Sequence, residues 1–254
     1  MMEMESADKN PEKKVEPKKL SLEERADTPE LQEELRELKK EAKRIEQELF
    51  NAFPIARARE MLDVSTSEKI LKELVSLAKR SSALADQHRD FNVGAVMLCT
   101  RDITSQNGNP WLIRFNANTK PVSTDKKWCA EQYLMDDLET RDLGIQRVLS
   151  MVIVGKPQTD DDSKIHQITL TPCKLCRDRM LALAEAEEPK ISYETEIITA
   201  DIRDTRYQKF QKVKDLPRFH KEGTADLVAT NSYGRGGVYK DNEDSDDLKD
   251  NELD

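Results

Sequence analysis

The chain has 254 residues, of which 37% are hydrophobic and 36% are charged. Globular domains usually have about 45–50% apolar and about 25% charged residues, so part of this chain should lie outside any packed core. No run of about 18 apolar residues is present, and residues 1–14 lack the apolar stretch of a secretory signal. We therefore expect a cytoplasmic protein without a membrane span, whose four cysteines stay reduced.

The net charge of −9 is unevenly distributed along the chain. Residues 241–254 hold eight acidic residues and one lysine, whereas the other 240 residues carry 40 basic and 42 acidic side chains. A near-neutral body with an acidic tail lacks the electrostatic field expected of a protein that grips polynucleotide phosphates. Nucleic acid is therefore not the favoured partner, and binding it would require a local basic groove.

Composition predicts four segments. Residues 1–27 are charged, interrupted by proline and poor in large apolar side chains, so they should be disordered. Residues 28–64 should form a helical extension, and residues 65–233 a globular domain. Residues 234–254 have the composition of a disordered acidic tail.

The helical extension has clear start signals and an apolar seam. Thr28 can cap the helix and Pro29 suits its first position, while Pro54 interrupts or ends it. The seam repeats every 3.5 residues through Leu31, Leu35, Leu38, Ala42, Ile45 and Leu49. Three heptads are short for a free coiled coil, so the helix lies either within the chain, on its own domain or in an intrachain hairpin, or in an intermolecular coil.

The globular domain alternates strands and helices. A helix should open at Ser65, because Ser65 and Glu68 fit a capping box. The remaining predictions are strands over 91–100, 111–118, 148–154 and 191–200, helices over 129–143 and 173–186, and a possible small strand over 225–230. This order predicts an α/β layered domain.

Three of the four cysteines lie at predicted helix starts. Cys129 opens one helix, and Cys173 and Cys176 open another with a spacing that places both on one face. Unpaired amides and the helix dipole stabilise thiolates at such positions. Three thiolates could hold a tetrahedral Zn²⁺ and leave a fourth position for water, as a catalytic zinc site requires.

No fourth protein ligand is evident in the sequence. Cys99 lies inside a hydrophobic strand and is expected to be a core residue. The histidines have no ligand spacing to the cysteines; they are His88, His166 and His220. The alternative is a structural zinc site that is completed by an unidentified fourth ligand.

Glu131 lies two residues after Cys129, so it projects from a neighbouring direction on the helix. From there it can reach a water on the metal without ligating the metal itself. A zinc ion that lowers the pKa of water and a glutamate that relays protons are the requirements of hydrolytic deamination. The related signature H-x-E followed by P-C-x-x-C is typical of zinc deaminases.

With these motifs, residues 66–200 resemble the cytidine deaminase family. The residues 91–95 (Phe-Asn-Val-Gly-Ala) resemble the first strand of that family, and Asn118 lies eleven residues before Cys129, where the family places a ribose-binding asparagine. A cysteine in the first motif is similar to the nucleoside-acting branch. The resemblance implies a three-layer α/β/α sandwich with a mixed sheet of about five strands, bound Zn²⁺, and a homodimer or homotetramer.

The resemblance also implies substrate contacts. Phe91 and Asn118 would hold the base and the sugar, and a backbone carbonyl near Ala130 or Thr171 would orient the amine. The alternatives are that Phe91 is only a core aromatic and that Asn118 is a turn residue at the end of a strand.

Two positions depart from the family pattern. Gln132 stands where many members have an arginine that offsets the thiolate charge, so Arg177 is a candidate for that role. Lys120 stands where the family has a ribose-binding glutamate, and a lysine has only donors and a positive charge. Lys120 either favours a substrate with an anionic group near the sugar or points to water.

The expected function is zinc-dependent conversion of a cytosine-type nucleoside or nucleotide to its uracil form, with release of ammonia. One alternative is an RNA or DNA cytosine deaminase, for which Lys126, Lys127 and Trp128 could line a strand groove. The other is an interaction protein that acts through its N-terminal helix and acidic tail. Retention of Glu131 argues against that second alternative, because a purely structural zinc domain does not need it.

Overall fold

The computed structural model describes residues 21–53, 67–87, 91–102, 108–120, 127–140, 143–156, 170–216 and 232–233. The helices are α1 (Leu22–Arg25), α2 (Pro29–Ala52), α3 (Glu68–Ser81), α4 (Ala130–Thr140) and α5 (Lys174–Ala184). The strands are β1 (Asp86–Gln87), β2 (Gly94–Arg101), β3 (Trp111–Ala117), β4 (Thr119–Lys120), β5 (Ile145–Gly155), β6 (Glu196–Asp201), β7 (Gln208–Lys212) and β8 (Ser232–Tyr233). The predicted acidic tail, the predicted strand over 225–230 and the Ser65 cap lie outside the described residues.

The main sheet is mixed, with the strand order β3-β2-β5-β6-β7-β8. Strands β5 and β6 are parallel, and the other neighbouring pairs are antiparallel. Five strands make up the body of the sheet, because β8 adds only two residues at its edge. The parallel pair β1 and β4 forms a separate two-stranded sheet.

Helices cover both faces of the main sheet. Alternate residues of β2 face opposite ways: Val96 and Leu98 join the core under α2 and α3, whereas Met97 and Cys99 join the core under α4 and α5. The three-layer α/β/α prediction is therefore confirmed. Cys99 is a fully buried core residue, as expected, and burial raises the pKa of its thiol.

The glycine of the 91–95 motif has a packing function. A Cβ built on Gly94 would lie 1.9 Å from the carbonyl oxygen of Ala78 and 2.5 Å from the hydroxyl of Ser81. Both of these residues belong to α3. Only glycine lets α3 approach β2 this closely, so the motif sets the position of that helix on the sheet.

Helix α2 packs on its own domain. The side-chain oxygen of Thr28 accepts a hydrogen bond from the Leu31 N–H at 3.3 Å, which confirms the predicted cap. Five residues of the heptad seam are buried, namely Leu35, Leu38, Ala42, Ile45 and Leu49, and they belong to the same core as α3 and β3. The seam is thus used within the chain, which is the first of the two predicted arrangements.

Helix α2 also protects the edge of the sheet. Strand β3 is the edge strand, and its outward-facing Ile113 N–H donates to Oε1 of Glu46 at 2.9 Å. The side-chain amide of Asn109 donates to the Glu46 carbonyl at 3.2 Å. An uncovered edge strand is a template for association with other chains, and here a buried carboxylate occupies it.

The disorder predicted for residues 1–27 is wrong for its last part. Ser21 and Glu24 form a capping box at the start of α1, and Leu22, Arg25 and Ala26 are buried. Composition misses this segment because its stability comes from docking onto a distant part of the chain rather than from its own apolar content.

Several boundaries differ from the sequence predictions. Helix α3 begins after Ser67, whose side chain makes no capping hydrogen bond. Helix α4 ends at Thr140, short of the predicted 143, and residues 191–195 form turns before β6. Strand β7 had no sequence prediction. No helix among the described residues combines the length and apolarity needed to cross a membrane.

Candidate active site

The topology brings two helix N-termini to one end of the sheet. Helix α4 leads into β5, and α5 follows β5 and leads to the parallel β6. Both helices therefore run back along the sheet and begin beside the carboxyl end of β5. Cys129 directly precedes α4, Cys173 is the N-cap of α5, and Cys176 lies in the first turn of α5.

The three cysteine sulfurs form a compact cluster. The Sγ atom of Cys173 lies 3.5 Å from that of Cys129 and 3.4 Å from that of Cys176, and all three lie within 4.8 Å of one another. Zinc–sulfur bonds of about 2.3 Å place tetrahedral sulfurs about 3.8 Å apart, so the cluster has the size of a zinc site. Within the described part of the chain, no fourth histidine, cysteine or carboxylate joins this cluster.

The three thiols share their protons unequally. Hydrogen bonding with Cys129 and Cys176, followed by the backbone amides of Cys176 and Leu175, holds the pKa of Cys173 well below its usual range. The hydrogen bond to Cys173 raises the pKa of Cys129, and hydrogen bonds to the other two cysteines raise that of Cys176. Because a metal binds cysteine as the thiolate, metal binding would release the protons that remain on the cluster.

Glu131 is a buried acid beside this cluster. Its residue surface is 3% exposed, and desolvation raises the pKa of its carboxyl group to about 7. The negative charge of Cys173 adds to the rise in the pKa of Glu131. The negative charge of Glu131 in turn adds to the rise in the pKa values of Cys129 and Cys176. The carboxyl group therefore interacts with all three sulfurs without belonging to the set of clustered ligand atoms.

Gln132 has a capping function. Its side-chain Oε1 accepts a hydrogen bond from the Cys129 N–H at 3.1 Å, which is the reciprocal half of a capping box at the start of α4. A glutamine three residues after Cys129 is a recognisable capping signal in the sequence, independent of the arginine that is absent from this position.

Arg177 lies where the missing arginine could be replaced. The residue is buried, and its Nη1 donates to the Pro172 carbonyl at 2.5 Å. Burial lowers the pKa of Arg177, whereas the charges of Cys173 and Cys176 oppose that shift. A guanidinium group thus stands beside the thiolates, as the sequence analysis suggested.

Asn118 holds the backbone of the 91–95 motif. Its Oδ1 accepts from the Val93 N–H at 2.8 Å, and its Nδ2 donates to the Phe91 carbonyl at 2.8 Å. The side chain is buried and ties the end of β3 to the segment before β2. These two hydrogen bonds also position Phe91, and the sugar contact predicted for Asn118 stays a prediction.

Three further residues were predicted to contact the substrate, namely Phe91, Ala130 and Lys120. Phe91 is partly exposed and packs against the same core as Cys129 and Cys173. Ala130 is fully buried at the start of α4. The side chain of Lys120 lies outside the described residues, so the prediction about its charge stays a prediction.

The residues of the possible strand groove are few. Lys126 lies outside the described residues, Lys127 is exposed, and Trp128 is half-buried. The backbone of Trp128 pairs in both directions with Thr119 at 2.9 Å. This backbone pairing joins the residue immediately before Cys129 to β4.

The fold and the cluster define an α/β/α sandwich with a candidate metal site where two helices begin. No protein-family model matches the sequence, and no curated protein matches it. Among solved structures, the chain is similar to cytidine deaminase from Burkholderia pseudomallei, with 18% identity, a TM-score of 0.38, and coverage of 57% of this chain and 93% of that chain.

Two further solved structures are cytidine deaminases of mycobacteria. The protein from Mycobacterium leprae is 16% identical with a TM-score of 0.34, and the match covers 56% of this chain and 92% of that chain. The protein from Mycobacterium tuberculosis is 20% identical with a TM-score of 0.32, and the match covers 50% of this chain and 82% of that chain.

Proposed function

We propose that this protein is a zinc-dependent hydrolytic deaminase that converts a cytosine-type nucleoside or nucleotide to its uracil form and releases ammonia. The observation that carries the proposal is the convergence of three cysteine sulfurs with a buried glutamate at the starts of α4 and α5. The donor set suits the metal, because soft thiolates favour zinc, and three ligands are typical of a catalytic site.

The proposal assigns a role to each residue of the site. Cys129, Cys173 and Cys176 would hold the metal, and Arg177 would offset part of the thiolate charge. When bound, zinc supplies Lewis acidity that makes water a nucleophile at neutral pH. Glu131 would take a proton from the attacking water, give one to ring N3 and deliver one to the departing amine, so that water and the aminopyrimidine become the oxo-pyrimidine and ammonia.

Substrate recognition would use the 91–95 segment. Phe91 is held at its carbonyl by Asn118, and its partly exposed ring lies on the side of the sheet that carries the cysteines. The proposal therefore gives Phe91 the face of the base and gives Asn118 the task of holding Phe91. A small-molecule substrate and a homo-oligomer complete the proposal, and both rest on the resemblance of the motifs.

The alternatives have less support. An interaction protein would offer the heptad seam of α2 to a partner, but that seam is buried against its own domain. A polynucleotide deaminase would need a basic, aromatic-lined groove, whereas beside the site the described residues include Lys127, Trp128 and Lys174, of which Lys174 is paired with Asp178.

The test is metal content combined with a substrate panel. Purified protein should contain one zinc per chain and release ammonia from cytidine, deoxycytidine or their monophosphates, and Cys99→Ala should retain both properties. Single-stranded DNA and RNA oligonucleotides that contain cytosine serve as the second arm. Protein that binds no zinc, that deaminates none of these compounds, or that acts only on the oligonucleotides would refute the proposal.

A further inference from the structure

Arg25 is a buried arginine in the N-terminal segment, outside the deaminase-like motifs. The residue is 7% exposed, and its Nη1 donates to the carbonyl of Ala117 at 3.0 Å and to that of Leu84 at 3.3 Å. Its Nη2 donates to the side chain of Asn116. A buried guanidinium that binds several acceptors at once is a rigid connection, because its donors are fixed in one plane.

Arg25 stacks on the helix that follows Cys129. Its guanidinium carbon lies 4.9 Å from the centre of the Tyr133 ring, in cation–π geometry. Tyr133 lies one helical turn after Cys129, and its N–H donates to the Cys129 carbonyl at 3.3 Å. The contact therefore reaches the first turn of α4, which carries Glu131.

Tyr133 also connects to the segment before Cys129. Its hydroxyl lies 2.9 Å from Oγ1 of Thr119. The backbone of Thr119 pairs in both directions with that of Trp128 at 2.9 Å, and Trp128 directly precedes Cys129. Cys129 is thus held on both sides by groups that meet at Tyr133, and Arg25 covers the ring of Tyr133.

Cys129 needs such support more than the other two ligands do. Cys173 and Cys176 lie on one helix, so local geometry sets their relative position. Cys129 comes from a different segment, and only tertiary contacts set its distance from that pair.

We propose that Arg25 is a positioning residue for the metal centre. Through its contact with Tyr133, Arg25 keeps Cys129 at the distance from Cys173 and Cys176 that a shared metal ion requires. This inference rests on the proposed zinc site. The N-terminal segment would then support the active site indirectly, because none of its residues is proposed to contact metal or substrate. Residues that orient metal ligands typically change metal affinity by about 10–100-fold when they are removed.

The experiment measures the transfer of zinc from full-length, zinc-loaded protein to an excess of a chromophoric chelator. Arg25→Met removes the charge and the donors, and Arg25→Lys keeps the charge but loses the planar fork. Tyr133→Phe keeps the ring and loses the hydroxyl. The matched control is Arg80→Met, because Arg80 also binds the N-terminal region, through Glu34 at 3.0 Å and Glu41 at 2.6 Å, and both of these partners lie on α2.

Arg25→Met should release zinc about tenfold faster than wild type, at the lower end of the range for groups that act on a ligand indirectly. Arg25→Lys should fail to restore the wild-type rate, and Tyr133→Phe should be intermediate. With Co²⁺ in place of zinc, the absorption spectrum of the thiolate site should change in Arg25→Met and stay unchanged in Arg80→Met.

Equal zinc release and equal cobalt spectra in Arg25→Met and Arg80→Met would overturn the inference and leave the proposed function standing. Wild-type protein that binds no zinc would instead remove the proposed function itself. If Arg25→Met does not fold, Tyr133→Leu decides the matter: it removes the ring under Arg25, and wild-type zinc release in that variant would equally overturn the inference.

Discussion

Glu46 allows a quantitative test of how the N-terminal helix protects the sheet. The residue is 2% exposed, and its Oε1 accepts the Ile113 N–H at 2.9 Å across 67 positions of sequence. Its Oε2 lies 2.7 Å from Nζ of Lys43, whose side chain is 68% exposed. The ion pair with an exposed lysine contributes little, so the value of Glu46 lies in the buried amide that it satisfies.

Glu46→Ala leaves the Ile113 N–H buried without an acceptor. An orphaned buried donor costs about 1–3 kcal/mol, so we expect a loss of about 2 kcal/mol in the free energy of unfolding. For a domain of about 150–250 residues this corresponds to a fall in the melting temperature of about 4–8 °C. Glu46→Gln keeps an oxygen acceptor and should recover most of the loss.

Urea denaturation and thermal melting measure both variants, and hydrogen exchange at the Ile113 amide reports on the bond itself. Glu37→Ala is the matched control on the same helix, since Glu37 forms an exposed pair with Lys40 and should leave the melting temperature unchanged. If Glu46→Ala melts with Glu37→Ala at the wild-type temperature, the carboxylate does not hold the edge of β3 and the argument fails.

Three further predictions concern the site and the termini. Glu131→Gln should keep its zinc and lose about 10²–10⁴-fold in turnover, and activity within tenfold of wild type would contradict its role in proton transfer. Lys120→Glu should shift the preference from phosphorylated substrate toward free nucleoside. The preference of the wild-type protein for phosphorylated substrate should weaken at high salt. Equal turnover of cytidine and CMP by both proteins would refute charge recognition by Lys120. Deletion of residues 1–53 should lower the melting temperature and promote aggregation through the uncovered edge of β3, whereas deletion of residues 1–20 should do neither. Light scattering and thermal melting measure both effects. Equal results for the two deletions would show that the helical extension is dispensable.

The sequence by itself determined the local features of this protein. The cap at Thr28, the alternation of the strands and the cysteines at two helix starts all follow from neighbouring residues and short spacings. The alternating order of strands and helices then specified an α/β layered domain. Because β5 and β6 are parallel, the helix between them returns along the sheet, and it begins at the same end as α4. The cysteine cluster could therefore be predicted from the sequence alone.

The tertiary structure alone decided how distant segments meet. Arg25 reaches the carbonyl of Ala117 across 92 positions, and no pattern in residues 1–27 indicates that contact. The same holds for Asn118, whose side chain binds the backbone of Phe91 and Val93 rather than facing outward. Periodicity and capping depend on neighbours in the chain, whereas the partner of a buried polar group depends on which surfaces pack together. For this reason the sequence indicated the three clustered cysteines and Glu131, and only the folded chain showed what holds them in place.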